Sequence, residues 1–399
     1  MTRGLIDAWR RVPRGVVVLG FVSLLMDASS ELVHALLPLF MVATLGSSVF
    51  FVGVVEGVAE ATALAVKVFS GYASDLTRKR KPLVLAGYGL GALSKLAFPL
   101  ATTLGWVVGA RVVDRIGKGI RGAPRDALIA DLTPREARGA AYGLRQALDT
   151  IGAIAGPLLA VAALAWFAGD IRAAFWVAVV PAALCVLLIV VGVREPDGAP
   201  ADASKPRLSL ADVRRLDRRF AIVTAIAVVL TLARFSEAFL VLRAQDVGMP
   251  LAAAPWVMVA MTLVYALLAF PAGAWADRGH AGWLIAAGML ALIASDLVLA
   301  RASAAAGVLV GAALWGLHLA LTQGLLSALV AGVAPADLRG TAFGVFNLAC
   351  GAALLVASAL AGFLWDAIGP AATFHAGAAF AAFAWIGLLA YRRHLPALA

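Results

Sequence analysis

The chain has 399 residues, 62% of them hydrophobic and only 14% charged. A soluble domain carries about a quarter charged residues, so this composition excludes one and indicates an all-α integral membrane protein. The net charge of +10 does not mark a nucleic-acid-binding protein, because the Lys and Arg lie between apolar stretches and not on a soluble face.

The N-terminus has the basic flank of a signal peptide in Arg3, Arg10, Arg11 and Arg14. No small-residue cleavage site follows, and Asp27 interrupts the apolar run, so the stretch is expected to stay as a first span. Segments long enough to cross a bilayer fall in the first half at 16–45, 49–73, 82–103, 105–128, 139–167 and 172–193. In the second half they fall at 220–245, 253–276, 281–301, 306–332, 339–365 and 370–391. Segment four is the weakest by hydropathy, since it carries Arg111, Asp114, Arg115, Lys118, Arg121 and Arg125.

Lys and Arg gather at the N-terminus, the 78–81 turn, the Arg135/Arg138 turn, the 194–219 stretch and the Arg392-Arg393 tail. The positive-inside rule then predicts that both termini are cytoplasmic, and the expected location is a bacterial-type inner membrane, crossed many times. Residues 194–219 read as a cytoplasmic linker between an N-terminal bundle, 1–193, and a C-terminal bundle, 220–399. The pattern at 208–216 suits a short basic helix on the membrane surface; a solvated linker accounts for it equally well.

The halves repeat each other. Gly71-x-x-x-Asp75 returns as Gly273-x-x-x-Asp277, offset by 202 residues. Pro134-x-x-x-Arg138-Gly139-x-Ala141-Tyr142-Gly143 returns as Pro335-x-x-x-Arg339-Gly340-x-Ala342-Phe343-Gly344, offset by 201. Two signatures at nearly one offset imply duplicated six-helix bundles around a central cleft, an architecture of secondary transporters.

Several charges fall within the spans, where each costs several kcal/mol by order of magnitude and usually faces protein or a wet cavity. Asp27, Glu31 and His34 are spaced i, i+4 and i+7, and so share one face of a helix. Counting rise per residue puts Asp27 roughly 16 Å into its span and Arg115 about 15 Å into span four. Asp27, Glu60, Arg115 and Asp149 are therefore expected in one layer, with Glu31, His34, Glu56 and Arg111 in another. Ion pairs that simply lock the bundle are the competing reading, strongest for Arg145–Asp149 and Asp114. Lys67 and Lys95 are expected to snorkel or to pair with Glu60 and Glu56. The second half supplies Arg234 and Glu237 on span seven and His318 and Gln323 on span ten as further cavity candidates. Arg234 suits an anionic group, whereas His318 is more often a hydrogen-bonded packing residue.

Enzyme-like patterns fail. Gly117-x-Gly119-x-x-Gly122 fits a dinucleotide loop but lies in a membrane helix with no preceding strand. Ser29, Ser30, His34 and Asp27 lack a nucleophile elbow, and no GxxxxGK[ST] loop for ATP occurs. No cofactor is expected. Nor is a metal expected, although Asp27, Glu31 and His34 are the residue types for a divalent ion as a minority reading. Cys185 and Cys350 have no ligand spacing and read as small buried hydrophobes.

The turn Gly71-Tyr72-Ala73-Ser74-Asp75-Leu76-Thr77-Arg78-Lys79-Arg80 resembles the hallmark loop of the major facilitator superfamily. Gly71, Asp75, Lys79 and Arg80 match it; Leu76 stands where a basic residue is usual and Arg78 where glycine is usual. The resemblance covers essentially the whole chain. It implies twelve transmembrane helices in two pseudo-symmetric six-helix bundles, with Gly71, Asp75, Lys79, Arg80, Gly273 and Asp277 as a conformational latch. Arg115-Ile116-Gly117-Lys118-Gly119 is similar to the superfamily's buried-arginine motif, which implies proton coupling through Arg115, with Asp27, Glu31 and Glu60 as its carboxylates. Gly152-x-x-x-Gly156-Pro157 resembles the helix-bending motif of exporters that exchange substrate for protons, although Leu158-Leu159 replaces the usual small pair. The expectation is a monomeric, proton-coupled exporter of a small organic molecule. An anionic metabolite, a siderophore or a metal ion is the alternative substrate, and a non-transporting membrane sensor or scaffold the alternative class.

Overall fold

The computed structural model describes residues 12–77, 79–134, 137–195, 215–335 and 338–391. Among them are helices and short turns, with no strand. The first six helices are α1 (Arg14–Leu39, continued by a π turn Phe40–Thr44), α2 (Val49–Thr77), α3 (Arg80–Leu100), α4 (Leu104–Leu132), α5 (Arg138–Trp166) and α6 (Ile171–Gly192). Then come α7 (Arg218–Ala233), α8 (Ala238–Asp246), α9 (Trp256–Trp275), α10 (Ala281–Arg301), α11 (Ala305–Val333), α12 (Arg339–Ala367) and α13 (Pro370–Tyr391). α7 and α8 are the two pieces of span seven, so the thirteen helices make twelve spans. Eleven of the described stretches are long and apolar enough to cross a membrane. α4 falls short because its charges depress its hydropathy, as its sequence implies.

Apolar side chains turned outward complete the membrane argument. Phe270 is 85% exposed and Trp166 84% exposed, which water would penalise and lipid does not. Helix starts are fixed by side-chain caps: Thr103 accepts from Trp106 N–H, Asp170 from Ala173 N–H and Asp217 from Phe220 N–H. Gly169 turns the chain between α5 and α6 at φ +86°, a conformation open to glycine at no steric cost.

By contacts the chain divides into two compact units, 1–40 with 62–206, and 41–61 with 207–399. In the first, α1 packs against α5 and α6, and α3 against α4. Its core holds Leu19, Met26, Val84, Tyr88, Leu128 and Ile129. Glycine sets the spacing of α3 and α4. A Cβ on Gly117 would lie 2.6 Å from the Gly87 carbonyl oxygen, and one on Gly87 would lie 2.7 Å from the Arg121 nitrogen. On the other side of α4, a Cβ on Gly119 would meet Val66 at 2.7 Å, and Ser70 Oγ donates to the Gly119 carbonyl at 2.8 Å. Gly117 and Gly119 of the dinucleotide-like pattern thus serve helix packing.

In the second unit α11 packs against α9 and α10, and α10 also against α13. Phe235 lies at its centre, with ring centroids 5.3 Å from Phe239, 5.3 Å from Trp315 and 5.7 Å from Phe374. The 41–61 stretch joins this unit through α12. A Cβ on Gly57 would lie 2.9 Å from Leu355 Cα, and the Asp366 carboxylate accepts from Phe50 N–H at 2.8 Å and Val49 N–H at 3.3 Å. Asp366 therefore caps the start of α2, satisfying N–H groups that the helix leaves unpaired.

The α3–α4 contact gives a direct test. Gly117→Ala forces two backbones apart and is expected to lower thermal stability in detergent, at a cost of about 1–3 kcal/mol. Gly89→Ala, on the same helix pair but with nothing within 4 Å of the added carbon, is expected to leave the unfolding midpoint unchanged. Equal midpoints for the two variants would refute the contact.

Candidate functional site

α4 carries the densest charge, and Asp114 is its hub. Lys95 Nζ on α3 donates to Asp114 Oδ1 at 2.6 Å, and Ser94 Oγ donates to the same oxygen at 3.3 Å. Arg115 Nε lies 3.5 Å and Arg111 Nη1 3.8 Å from Oδ2. The Asp114 side chain is only 3% exposed and that of Lys95 is fully buried. Three cations thus share one buried carboxylate, with pairing on both of its oxygens. The sequence expectation paired Lys95 with Glu56 or Glu60; the structure gives it to Asp114, because Gly87 and Gly117 bring α3 onto α4.

Further along α4 a looser network faces α1 and α5. Arg121 Nη2 lies 3.7 Å from Asp27 Oδ1, with the Arg121 guanidinium 4.7 Å from the Tyr88 ring centroid. Arg125 Nη1 donates to Ser23 Oγ at 3.0 Å and approaches Asp149 Oδ1 at 4.0 Å. Arg145 pairs with Asp149, and also approaches Asp126 Oδ1 at 3.5 Å. The depth count placed Asp27 level with Arg115; the structure pairs it with Arg121, six residues further on, while Arg115 turns to Asp114. Asp27 keeps 29% of its side chain exposed, which sets it apart from Asp114.

Glu31 and His34 meet as expected from their spacing, with His34 Nδ1 3.3 Å from Glu31 Oε2. Their face of α1 sits directly on α5. A Cβ on Gly152 would meet the Leu24 carbonyl and lie 3.1 Å from Asp27 Cβ, and one on Gly156 would lie 2.8 Å from the Ala28 carbonyl and 2.5 Å from Glu31 Cβ. Gly152 and Gly156 thus seat the two carboxylate-bearing turns of α1, one turn each, with Pro157 buried beside them. Since Asp27 faces Arg121, the three α1 side chains do not converge, and among the described residues no group of three His, Cys, Asp or Glu could hold a metal ion. Glu56 is buried and Glu60 half-buried on the 41–61 stretch.

In the second unit span seven breaks at 234–237. Arg234 leaves the helix at φ −103°, ψ 59°. The break is pinned by Ser236, whose N–H donates to Ser358 Oγ on α12 at 3.1 Å and whose Oγ accepts from Ala238 N–H at 3.3 Å. Phe235 fills the aromatic core, and Arg234 and Glu237 flank it half-buried. A break carrying opposite charges at mid-span is a recurrent form of transporter binding site. His318 is fully buried, with Nδ1 2.8 Å from the Gly288 carbonyl on α10, so it joins two helices. Gln323 is exposed. Sequence reading passed over Arg243, which donates to the Leu299 and Ala302 carbonyls at the end of α10 and pairs with Asp246. It also passed over Asp296, buried on α10. A lone acid in a 21-residue apolar helix was the available signal.

The hallmark turn is only partly described. Arg80 Nε pairs with Asp131 Oδ2 at 2.9 Å, and the Glu195 carboxylate accepts from Arg80 N–H at 2.6 Å and Lys81 N–H at 3.2 Å. These bonds tie α3 to the ends of α4 and α6. Lys79 is exposed just before α3. Gly71 makes ordinary contact with Ala123 at 3.4 Å, while the added-carbon position of Gly273 is open. The side chains of Asp75 and Asp277, and Arg78, lie outside the described residues, as do the greater part of the linker (196–214) and the basic tail (392–399).

Twelve spans and charged residues at helix depth define a polytopic membrane transporter fold. The chain belongs to the Major Facilitator Superfamily, whose model matches residues 19–242 and 223–398. It is 30% identical to an uncharacterised MFS-type transporter of Methanocaldococcus jannaschii over 387 residues, 95% of each chain. An uncharacterised protein of Mycobacterium tuberculosis is 30% identical over 374 residues, 92% of this chain and 89% of that one. Among solved structures, a peptide transporter in complex with sulfate superposes with a TM-score of 0.81 at 15% identity, covering 97% of this chain and 96% of that one. A nucleoside transporter superposes with a TM-score of 0.79 at 15% identity, covering 95% and 99%. A D-xylose–proton symporter does so with a TM-score of 0.71 at 17% identity, covering 96% and 98%. These show the fold. The family membership makes the chain a membrane transporter, not an enzyme.

The hub predicts an order of damage. Asp114→Asn leaves three buried cations without their shared carboxylate and is expected to cost about 3–5 kcal/mol. Lys95→Met leaves Asp114 with Arg111 and Arg115 and is expected to cost less. Thermal unfolding of both variants in the same detergent checks this; a Lys95→Met midpoint at or below that of Asp114→Asn would contradict the hub.

Proposed function

We propose that the chain is a proton-coupled secondary transporter that exports a small organic molecule by alternating access, as a monomer in a bacterial-type inner membrane with cytoplasmic termini. The observation that carries the coupling is the contrast between two aspartates of the first unit. Asp114 is held by Lys95 at 2.6 Å and shielded, so its charge is fixed. Asp27 is open to its surroundings, with Arg121 as its ion-pair partner at 3.7 Å. A proton arriving at Asp27 cancels its charge and frees Arg121 to rest on Tyr88, 4.7 Å away. Glu31, one turn further and paired with His34, is the second carboxylate on that face. Both press on α5 through Gly152 and Gly156, so a change in charge there is felt by a second helix without an intervening side chain.

For substrate, the break in span seven offers Arg234 and Glu237, a cation and an anion held at fixed places by Phe235 and Ser236. Export is favoured by the Gly152–Pro157 motif. Arg234 at a half-buried position favours a second reading, in which the substrate carries an anionic group.

Purified protein in proteoliposomes, with a pH-sensitive dye inside and a panel of cationic, anionic and neutral compounds outside, tests both readings. The expected result is a compound whose movement changes the internal pH and stops when the proton gradient is collapsed. Asp27→Asn is expected to bring the coupled pH change to background while the protein still unfolds cooperatively. Transport that persists without a proton gradient would refute the coupling. Retention of coupled transport in Asp27→Asn would remove Asp27 from it.

A further inference from the structure

Asp296, on α10 in the second unit, is fully buried, and neither carboxylate oxygen has a hydrogen-bond partner among the described residues. The acidic residues of the first-unit network described above each have a cation within 4.0 Å or a protonatable neighbour; among the described residues no such pair is found for Asp296. It is enclosed by apolar structure. A Cβ on Gly377 of α13 would lie 2.6 Å from Asp296 Oδ2 and 3.0 Å from Phe235 Cε1, so the acid and the ring at the span-seven break both lie against the α13 backbone at Gly377. One residue before it, Ser295 Oγ donates to the Gly311 carbonyl at 2.7 Å and fixes α10 against α11.

Ionisable groups also lie on the neighbouring segments. His318 of α11 bonds to the Gly288 carbonyl through Nδ1, while its buried Nε2 has no hydrogen-bond partner among the described residues. Arg243 of α8 holds the carbonyls of Leu299 and Ala302 and pairs with Asp246. His375 of α13 and Arg301 at the end of α10 are exposed, as are Arg278 and His280 in the turn before α10. Arg234 and Glu237 flank Phe235 half-buried.

An ionised carboxylate in such a place loses its water and gains no compensating donor, a cost of several kcal/mol at least by order of magnitude. The neutral acid loses far less. We propose that Asp296 is a proton-binding site of the second unit, occupied as a neutral carboxylic acid in this conformation. Release of its proton requires α13 and the Phe235 ring to draw back and admit water or a counter-ion. Proton occupancy at Asp296 is thereby tied to the geometry of the break that carries Arg234 and Glu237. The occupied site stands on the packing alone; its use in coupling rests on the transport reading above.

The test is infrared spectroscopy of the purified full-length protein in lipid nanodiscs at neutral pH, with no substrate. A protonated carboxylic acid gives a carbonyl stretch above the amide I band. The expected result is a band of this kind that shifts on labelling with carboxyl-¹³C aspartate, shifts slightly in D₂O, and is lost in the difference between parent and Asp296→Asn. Asp296→Asn, which places a neutral group of the same size at the site, is expected to unfold near the parent temperature. If that variant does not fold, Asp296→Glu replaces it: the lost intensity must then leave the aspartate-labelled set. Parent and variant spectra that match throughout this region would overturn the assignment. A positive band with transport that ignores the proton gradient would leave the site standing and refute the coupling, so the two failures are distinguishable.

Discussion

The first unit depends on one constraint, the cost of holding charge where water does not reach. α4 carries five basic residues and an aspartate between Arg111 and Arg125, a segment that a bilayer alone would reject. It is tolerated because Asp114 gathers Lys95, Arg111 and Arg115. That gathering depends in turn on glycine. Lys95 reaches Asp114 at 2.6 Å because Gly87 and Gly117 leave no side chain between α3 and α4. Charge pairing and close helix packing are here a single device, and loss of either exposes the other.

The two units meet the same cost differently. The first spends cations and anions together, and what remains open is the weaker pair, Asp27 with Arg121. The second sets several of its charges on backbone, Asp366 at the start of α2 and Arg243 among them. Arg243 satisfies carbonyls at the end of α10, where a helix has unpaired acceptors and a cation is favoured. Arg172 does the same in the first unit by donating to the Pro99 carbonyl at the end of α3.

Much of the fold was legible in the sequence. Apolar length and the basic turns place the spans, and the repeated Gly71–Asp75 and Pro134–Gly143 signatures place the duplication. Charge partners were less legible, for a geometric reason. Spacing tells which residues share a face of one helix, as for Glu31 and His34, but the rotation and slide of the neighbouring helix decide what they meet. Counting rise set Asp27 in one layer with Arg115, but depth alone does not choose a partner, and the ion pair of Asp27 is with Arg121. The break at Arg234 carries neither Gly nor Pro. Tertiary bonds create it, through Ser358 and the aromatic cluster around Phe235, so no local signal announced it. Asp296 is different, because a single acid in an apolar helix is a local signal that the sequence does carry.

That difference bears on how α1 can act. Between Asp27 or Glu31 and α5 there is no side chain to absorb a shift, since Gly152 and Gly156 present bare backbone to both turns. A van der Waals contact of this kind resists compression steeply, so α1 and α5 move together or separate outright. Protein interiors packed at this density tend to have discrete arrangements in place of gradual deformation. A carboxylate set on such a seat is suited to choosing between two arrangements. Asp114, locked by three cations among buried side chains, is suited to holding one. The same residue type thus supports switching at one site and rigidity at another, and the packing around it decides which.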